Sequence, residues 1–130
     1  MVFLTKEQIL LIHSMVIDET GGSHGVRDYY AVLSLENLPK QRVFGQELYP
    51  TIFLKAAVYA RNIITGHPFI EGNKRTSMAA ASVFLENNGY KIISAEGKIK
   101  QFALEVIHKK LQLNEIALWF KRNSKKYRGK

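Results

Sequence analysis

The chain has 130 residues, a net charge of +8, 46% hydrophobic residues and no cysteine. That length fits one domain with a real core, and the missing cysteines exclude disulfides and thiolate metal sites. No apolar run is long enough to span a bilayer, and the N-terminus lacks the basic and apolar segments of a secretory signal, so a reducing cytoplasm is the expected setting.

The elements predicted in chain order are mostly helices. Residues 5–19 form a first helix, with Thr5 and Gln8 at capping-box spacing and an inward face of Ile9, Ile12 and Val16. Gly21, Gly22, Ser23, His24 and Gly25 make a loop. A second helix is expected over 26–38, ending before Pro39. Residues 40–49 lack helical period and suit a short extended flap. Pro50 suits the first turn of a third helix that runs to about Thr65 and turns Phe53, Ala56, Ala57, Ala60 and Ile63 to one side.

A fourth helix follows over 74–88, with Asn73 as its N-cap and Gly89 as its C-cap. Its small residues Ala79, Ala80 and Ala81 let a neighbour approach closely, which predicts a central position. A fifth helix is expected over 99–111 and a sixth from an Asn114 cap, with Ile116, Trp119 and Phe120 inward. The basic run 121–130 holds six cations and no acid, leaving +2 for the rest. It reads first as a frayed, solvated terminus and otherwise as a contact for nucleic acid or an acidic partner. No basic groove interleaved with aromatics supports nucleic-acid binding elsewhere. His13 and His108 fall on helical patterns and read as partly buried structural residues; His24 sits among glycines without a fixed place.

Between the third and fourth helices lies His67-Pro68-Phe69-Ile70-Glu71-Gly72-Asn73-Lys74-Arg75-Thr76. Singly, these residues read as a loop histidine, a turn and a cap. Together they assemble a phosphate site. A helix N-terminus attracts anions through its free N–H groups and dipole. Lys74 and Arg75 add two cations where the dipole disfavours them, which is costly unless an anion binds. Gly72 would let a phosphate approach the backbone, and Glu71 offers a hard oxygen ligand for magnesium. His67 can take a proton from an attacking hydroxyl near neutral pH. Pro68 is expected to hold His67 extended. No Walker A loop occurs in the chain.

This segment resembles the Fic motif, His-Pro-Phe-x-Asp/Glu-Gly-Asn-Gly/Lys-Arg. It is similar in particular to the Doc (death-on-curing) branch, which carries Lys at the position of Lys74. The resemblance extends from about Gly21-Gly22 to Gly89-Tyr90, and residues 44–50 look like the substrate-side flap and the start of the following helix. It implies an all-α, single-domain helical bundle of about six helices over 1–120, followed by the basic tail 121–130. It also implies a transferase acting on a protein hydroxyl, with His67 as general base and Glu71 holding Mg2+. Gly72, Asn73, Lys74 and Arg75 would grip the phosphates of ATP, and Phe69 would anchor the loop.

In the Doc branch the γ-phosphate is transferred, to elongation factor Tu, and a small antitoxin with a disordered segment controls the toxin. Met78 stands where adenylyl-transferring members carry a second Arg. The Doc branch itself has a residue other than Pro after the His, and Asp-Ala in place of Glu71-Gly72. Fic-type adenylyl or other nucleotidyl transfer is therefore the alternative. Ser82-Val83-Phe84-Leu85-Glu86-Asn87 matches formally the self-inhibitory helix of some Fic proteins. Glu86 lies on the same helix as Lys74, roughly 18 Å along the axis, so the match reads as accidental.

Overall fold

A computed structural model describes residues 1–127. These form six α-helices, one 3-10 turn and two small two-stranded sheets, the expected all-α bundle with a flap. Helix α1 spans Lys6–Thr20 and opens on the expected capping box, in which Thr5 and Gln8 each bond the other's backbone N–H.

Helix α2 is shorter than its apolar pattern suggests, Tyr29–Leu35, followed by a 3-10 turn at Leu38–Lys40. The Asp28 carboxylate accepts from the Ala31 N–H and starts the helix there. Val26 and Arg27 thus stay outside it, Val26 forming an antiparallel bridge with Phe69. Pro39 sits in the first positions of the 3-10 turn, where its missing N–H costs nothing. The flap is a tight hairpin of β1, Arg42–Val43, and β2, Gln46–Glu47.

Helix α3, Ile52–Gly66, is capped by Thr51 rather than entered at Pro50. Helix α4 spans Asn73–Asn87 and ends on Asn88, with Gly89 one residue beyond the cap. These two helices pack together more extensively than any other pair. Alanines make the close approach possible: Ala56, Ala57 and Ala60 on α3 and Ala80 and Ala81 on α4 are fully buried. Helix α4 therefore shares the centre with α3, which is the more enclosed of the two. Tyr59 and Phe84 fill the space between them, and each such ring contributes about 2–3 kcal/mol of apolar burial. The Tyr59 hydroxyl accepts from the Leu4 N–H at 3.0 Å, and burial pushes its pKa up to about 12.

Strand β3 is Tyr90–Ile92. Helix α5 spans Glu96–His108 and starts earlier than expected, because Glu96 places a carboxylate at the positive helix end and Gly97 is tolerated in the first turn. Helix α6, Leu113–Arg122, is capped by a Gln112–Glu115 box instead of by Asn114. Trp119 is half-buried and stacks on Phe102 at 4.2 Å.

The basic tail is not frayed over its described part. Strand β4, Ser124–Lys126, pairs with β3 in the register Tyr90↔Lys126, Lys91↔Lys125 and Ile92↔Ser124. Asn123 and Tyr127 lock this pairing, through Ser94 Oγ to Asn123 Oδ1 and Tyr127 Oη to the Glu86 carbonyl. Arg128 and Lys130 lie outside the described residues.

Candidate active site

The loop from His67 to Gly72 joins the C-terminus of α3 to the N-terminus of α4, so it lies where a negative helix end hands over to a positive one. His67 caps α3 in the left-handed region, at φ 45° and ψ 55°. This corrects the extended backbone expected before Pro68. The preference of a residue before proline is a local bias, and here tertiary hydrogen bonds override it. The Arg27 side chain donates to the carbonyls of Gly66, at 2.6 Å, and His67, at 2.7 Å. The backbone N–H groups of Arg27 and Asp28 both donate to the Pro68 carbonyl. Ile70 N–H donates to the Gly25 carbonyl, so the segment 25–28 lies along the motif as an extended strip. The His67 residue itself is exposed.

Phe69 is buried in the core, at 1% exposure. Its ring stacks on the equally buried His13. Beyond it, Gly72 takes φ 81° and serves as the N-cap of α4 in place of Asn73. A Cβ on Gly72 would meet Ile17 Cδ1 at 2.9 Å, so an alanine would have to displace the tip of that side chain, and the left-handed backbone itself favours glycine. Asn73 is the first helical residue. Its Oδ1 accepts from the Phe69 N–H and its Nδ2 donates to the Phe69 carbonyl, closing the loop into a ring. Among the described residues no side chain caps α4, so its first-turn N–H groups lack a side-chain acceptor there.

The charged residues surround that helix end. Glu71 is exposed, with Oε1 accepting from the Ser23 N–H at 3.0 Å. A Cβ on Gly22 would stand 3.0 Å from the other oxygen, Oε2, so glycine here makes room for the carboxylate. Lys74 is exposed, and Arg75 donates to Glu96 Oε1 at 3.1 Å. Both cations border a cleft of about 440 Å³ between α1, α4 and α5. Its floor is apolar, with Val16, Met78, Ile99 and Ala103, and Glu19, Glu96 and Lys100 stand among its lining residues. His67 is not among its lining residues, so the cleft lies on the Lys74 and Arg75 side of the loop. Met78 is buried, at 5% exposure.

Two residues that the motif does not contain shape the loop. His13 carries a signal in the sequence, a polar group on the buried face of α1 between Ile9 and Ile17. Arg27 carries none, since its pattern reads as helix. His24 pairs with Asp18 at 2.8 Å on the surface. His108 is exposed in the last turn of α5, not partly buried. Glu86 sits near the far end of α4, as its helical position required.

Comparison with known proteins identifies the family. A sequence model of the Fic/DOC family matches residues 3–85, from the start of α1 through most of α4. The chain belongs to that family. It is 34% identical over 90 residues to the Toxin Doc of Mycolicibacterium smegmatis (strain ATCC 700084 / mc(2)155), covering 69% of this chain and 67% of that one. It is 27% identical over 92 residues to the Protein kinase doc of Escherichia phage P1, covering 71% and 72% respectively. The α5 wall of the cleft and the β3–β4 pair lie beyond the family match.

Proposed function

We propose that this protein is a Doc-like toxin that transfers the γ-phosphate of ATP to a Ser or Thr hydroxyl of a translation factor of the elongation factor Tu class. The observation that carries this reading is one hydrogen-bonded loop that joins an exposed His67 at the end of α3 to an α4 N-terminus without a side-chain cap, flanked by Glu71, Lys74 and Arg75. The names of the two relatives, a toxin and a protein kinase, support it.

The donor set fits magnesium held through its substrate. No group of three or more His, Asp or Glu occurs among the described residues. Magnesium on phosphates commonly takes one or two carboxylates and keeps waters. Glu71 is the carboxylate that would hold it, and the ion when bound would neutralise phosphate charge. His67 takes the proton of the acceptor hydroxyl as its oxygen bonds to the γ-phosphorus and the bridging bond to ADP breaks. Lys74, Arg75 and the first-turn N–H groups of α4, with the Gly72 backbone, stabilise the transferring group. Asn73, with its amide engaged on Phe69, shapes this cradle.

The apolar cleft beside Lys74 and Arg75 suits an amphipathic segment of a small antitoxin, disordered when free and ordered on the toxin, with an acidic residue toward the cations. Ser82–Asn87 cannot serve as a built-in inhibitor, being part of α4 itself.

Magnesium and ATP labelled at the γ- or the α-phosphate test the function, with elongation factor Tu and a cell lysate as acceptors. Label from the γ position alone, absent with His67→Ala, is expected. Label from the α position would establish nucleotidyl transfer instead. Undiminished transfer by a folded His67→Ala protein would remove His67 as base.

A further inference from the structure

We propose that Arg27 is the positioning residue of His67, holding the base in a left-handed conformation that the loop cannot maintain by itself. The proposal rests on the reading of His67 as general base. Helix α3 ends on orphan carbonyls at the negative end of its dipole. Some helices that end on a left-handed residue recover a further carbonyl through the N–H of the residue after it, while others make only the bond from the left-handed residue's own N–H. Here that residue is Pro68, which has no N–H. The local ending is therefore left with one bond, from His67 N–H to the Ile63 carbonyl at 3.2 Å.

The segment around Arg27 supplies what is missing. Its guanidinium donates to the carbonyls of Gly66 and His67 through Nη2 and Nε, and the amides of Arg27 and Asp28 take the Pro68 carbonyl. Three successive carbonyls, on both sides of the His67 backbone, are thus held by one dipeptide some 40 positions earlier. A non-glycine residue at positive φ persists only where its surroundings over-determine it, and the Arg27 clamp is that surrounding. The planar fork matters: two neighbouring carbonyls are taken by two nitrogens in fixed geometry, which a lysine ammonium does not reproduce. The Arg27 side chain reaches His67 through main-chain oxygen, so it acts on where the imidazole stands and not on the reaction itself.

The test combines stability and turnover. Urea midpoints are measured for Arg27→Ala, His67→Gly and the double variant. Glycine adopts the left-handed region without help, so Arg27→Ala is expected to lower the midpoint in the native background and to lower it distinctly less beside His67→Gly. Equal losses in the two backgrounds would overturn the clamp. In the transfer assay, Arg27→Ala is expected to lower kcat about 100-fold, the penalty of a misplaced group, with the KM for ATP little changed. Arg27→Lys should recover only a small part of kcat. A raised KM with native kcat would overturn the positioning role. If the native protein transfers nothing to any acceptor, the functional reading fails, while the urea comparison still decides the clamp.

Discussion

The imidazole of His13 lies flat on the ring of Phe69, with centroids 3.8 Å apart and planes within 6°. Its Nε2 lies 2.8 Å from the Glu71 carbonyl, which can only accept, so Nε2 carries the proton and donates. One buried side chain of α1 thereby grips the motif loop at its anchor and at the backbone of its carboxylate residue.

Replacing His13 by Ala removes both contacts and leaves a partly buried carbonyl without its donor. The expected cost is about 2–4 kcal/mol, combining a lost ring pair with an unmade hydrogen bond. His13→Gln, which keeps a donor but not the stacked ring, should fall between. Urea unfolding checks the order, and a His13→Ala protein as stable as the native one would show that the stack is incidental.

Gly72→Ala should be more damaging than a surface glycine substitution. The alanine must adopt φ 81° and place its Cβ 2.9 Å from Ile17 Cδ1. A loss of about 1–3 kcal/mol is expected from strain and overpacking. Gly45→Ala is a useful comparison, since it shares a positive φ but a Cβ there meets nothing within 4 Å. The difference between the two variants measures the packing share.

The flap is moored by an ion pair that titrates. Lys55 is buried in α3 at 1% exposure, and its Nζ donates to Glu47 Oε1 at 2.8 Å and to the Tyr49 carbonyl. Hydrogen bonding and charge from Lys55 hold the Glu47 carboxyl below its ordinary value. A depressed acid stabilises above its unfolded pKa, about 4.3, and that contribution is lost as pH falls through the lower folded value. The flap should therefore stay closed near neutrality and loosen only in acid. Amide hydrogen exchange of residues 42–48 across this range checks it. Lys55→Met should give the loosened flap already at neutral pH and increase tryptic cleavage at Arg42.

Lys74→Gly tests which end of the nucleotide is transferred. If the lysine sets nucleotide orientation, the variant should lose γ-label transfer and gain transfer of α-label. Unchanged preference would place the determinant in a residue other than Lys74. Native helix content by circular dichroism confirms that only selectivity has moved.

By itself, the sequence determined what depends on near neighbours. The Thr5–Gln8 box, the alanine faces of α3 and α4, and the run from His67 to Arg75 are local patterns, legible because period and spacing impose them. The helical bundle with its flap followed from these. Boundaries slipped where a cap competed with the apolar pattern, as at Asp28 and Gln112.

The tertiary structure alone decided how the loop is shaped. His13 reaches Glu71 across 58 positions and Arg27 reaches His67 across 40, and no local pattern encodes either bond. The Arg27 bonds meet His67 where it stands left-handed against the bias of Pro68, whereas the pairing of Asn73 with Phe69 is a local contact four positions apart. The cleft likewise needs α1, α4 and α5 brought side by side, and the basic tail needed β3 as a partner to become a strand. The physical reason is common to all: backbone groups must be satisfied, and in a loop their partners come from wherever the fold brings donors close.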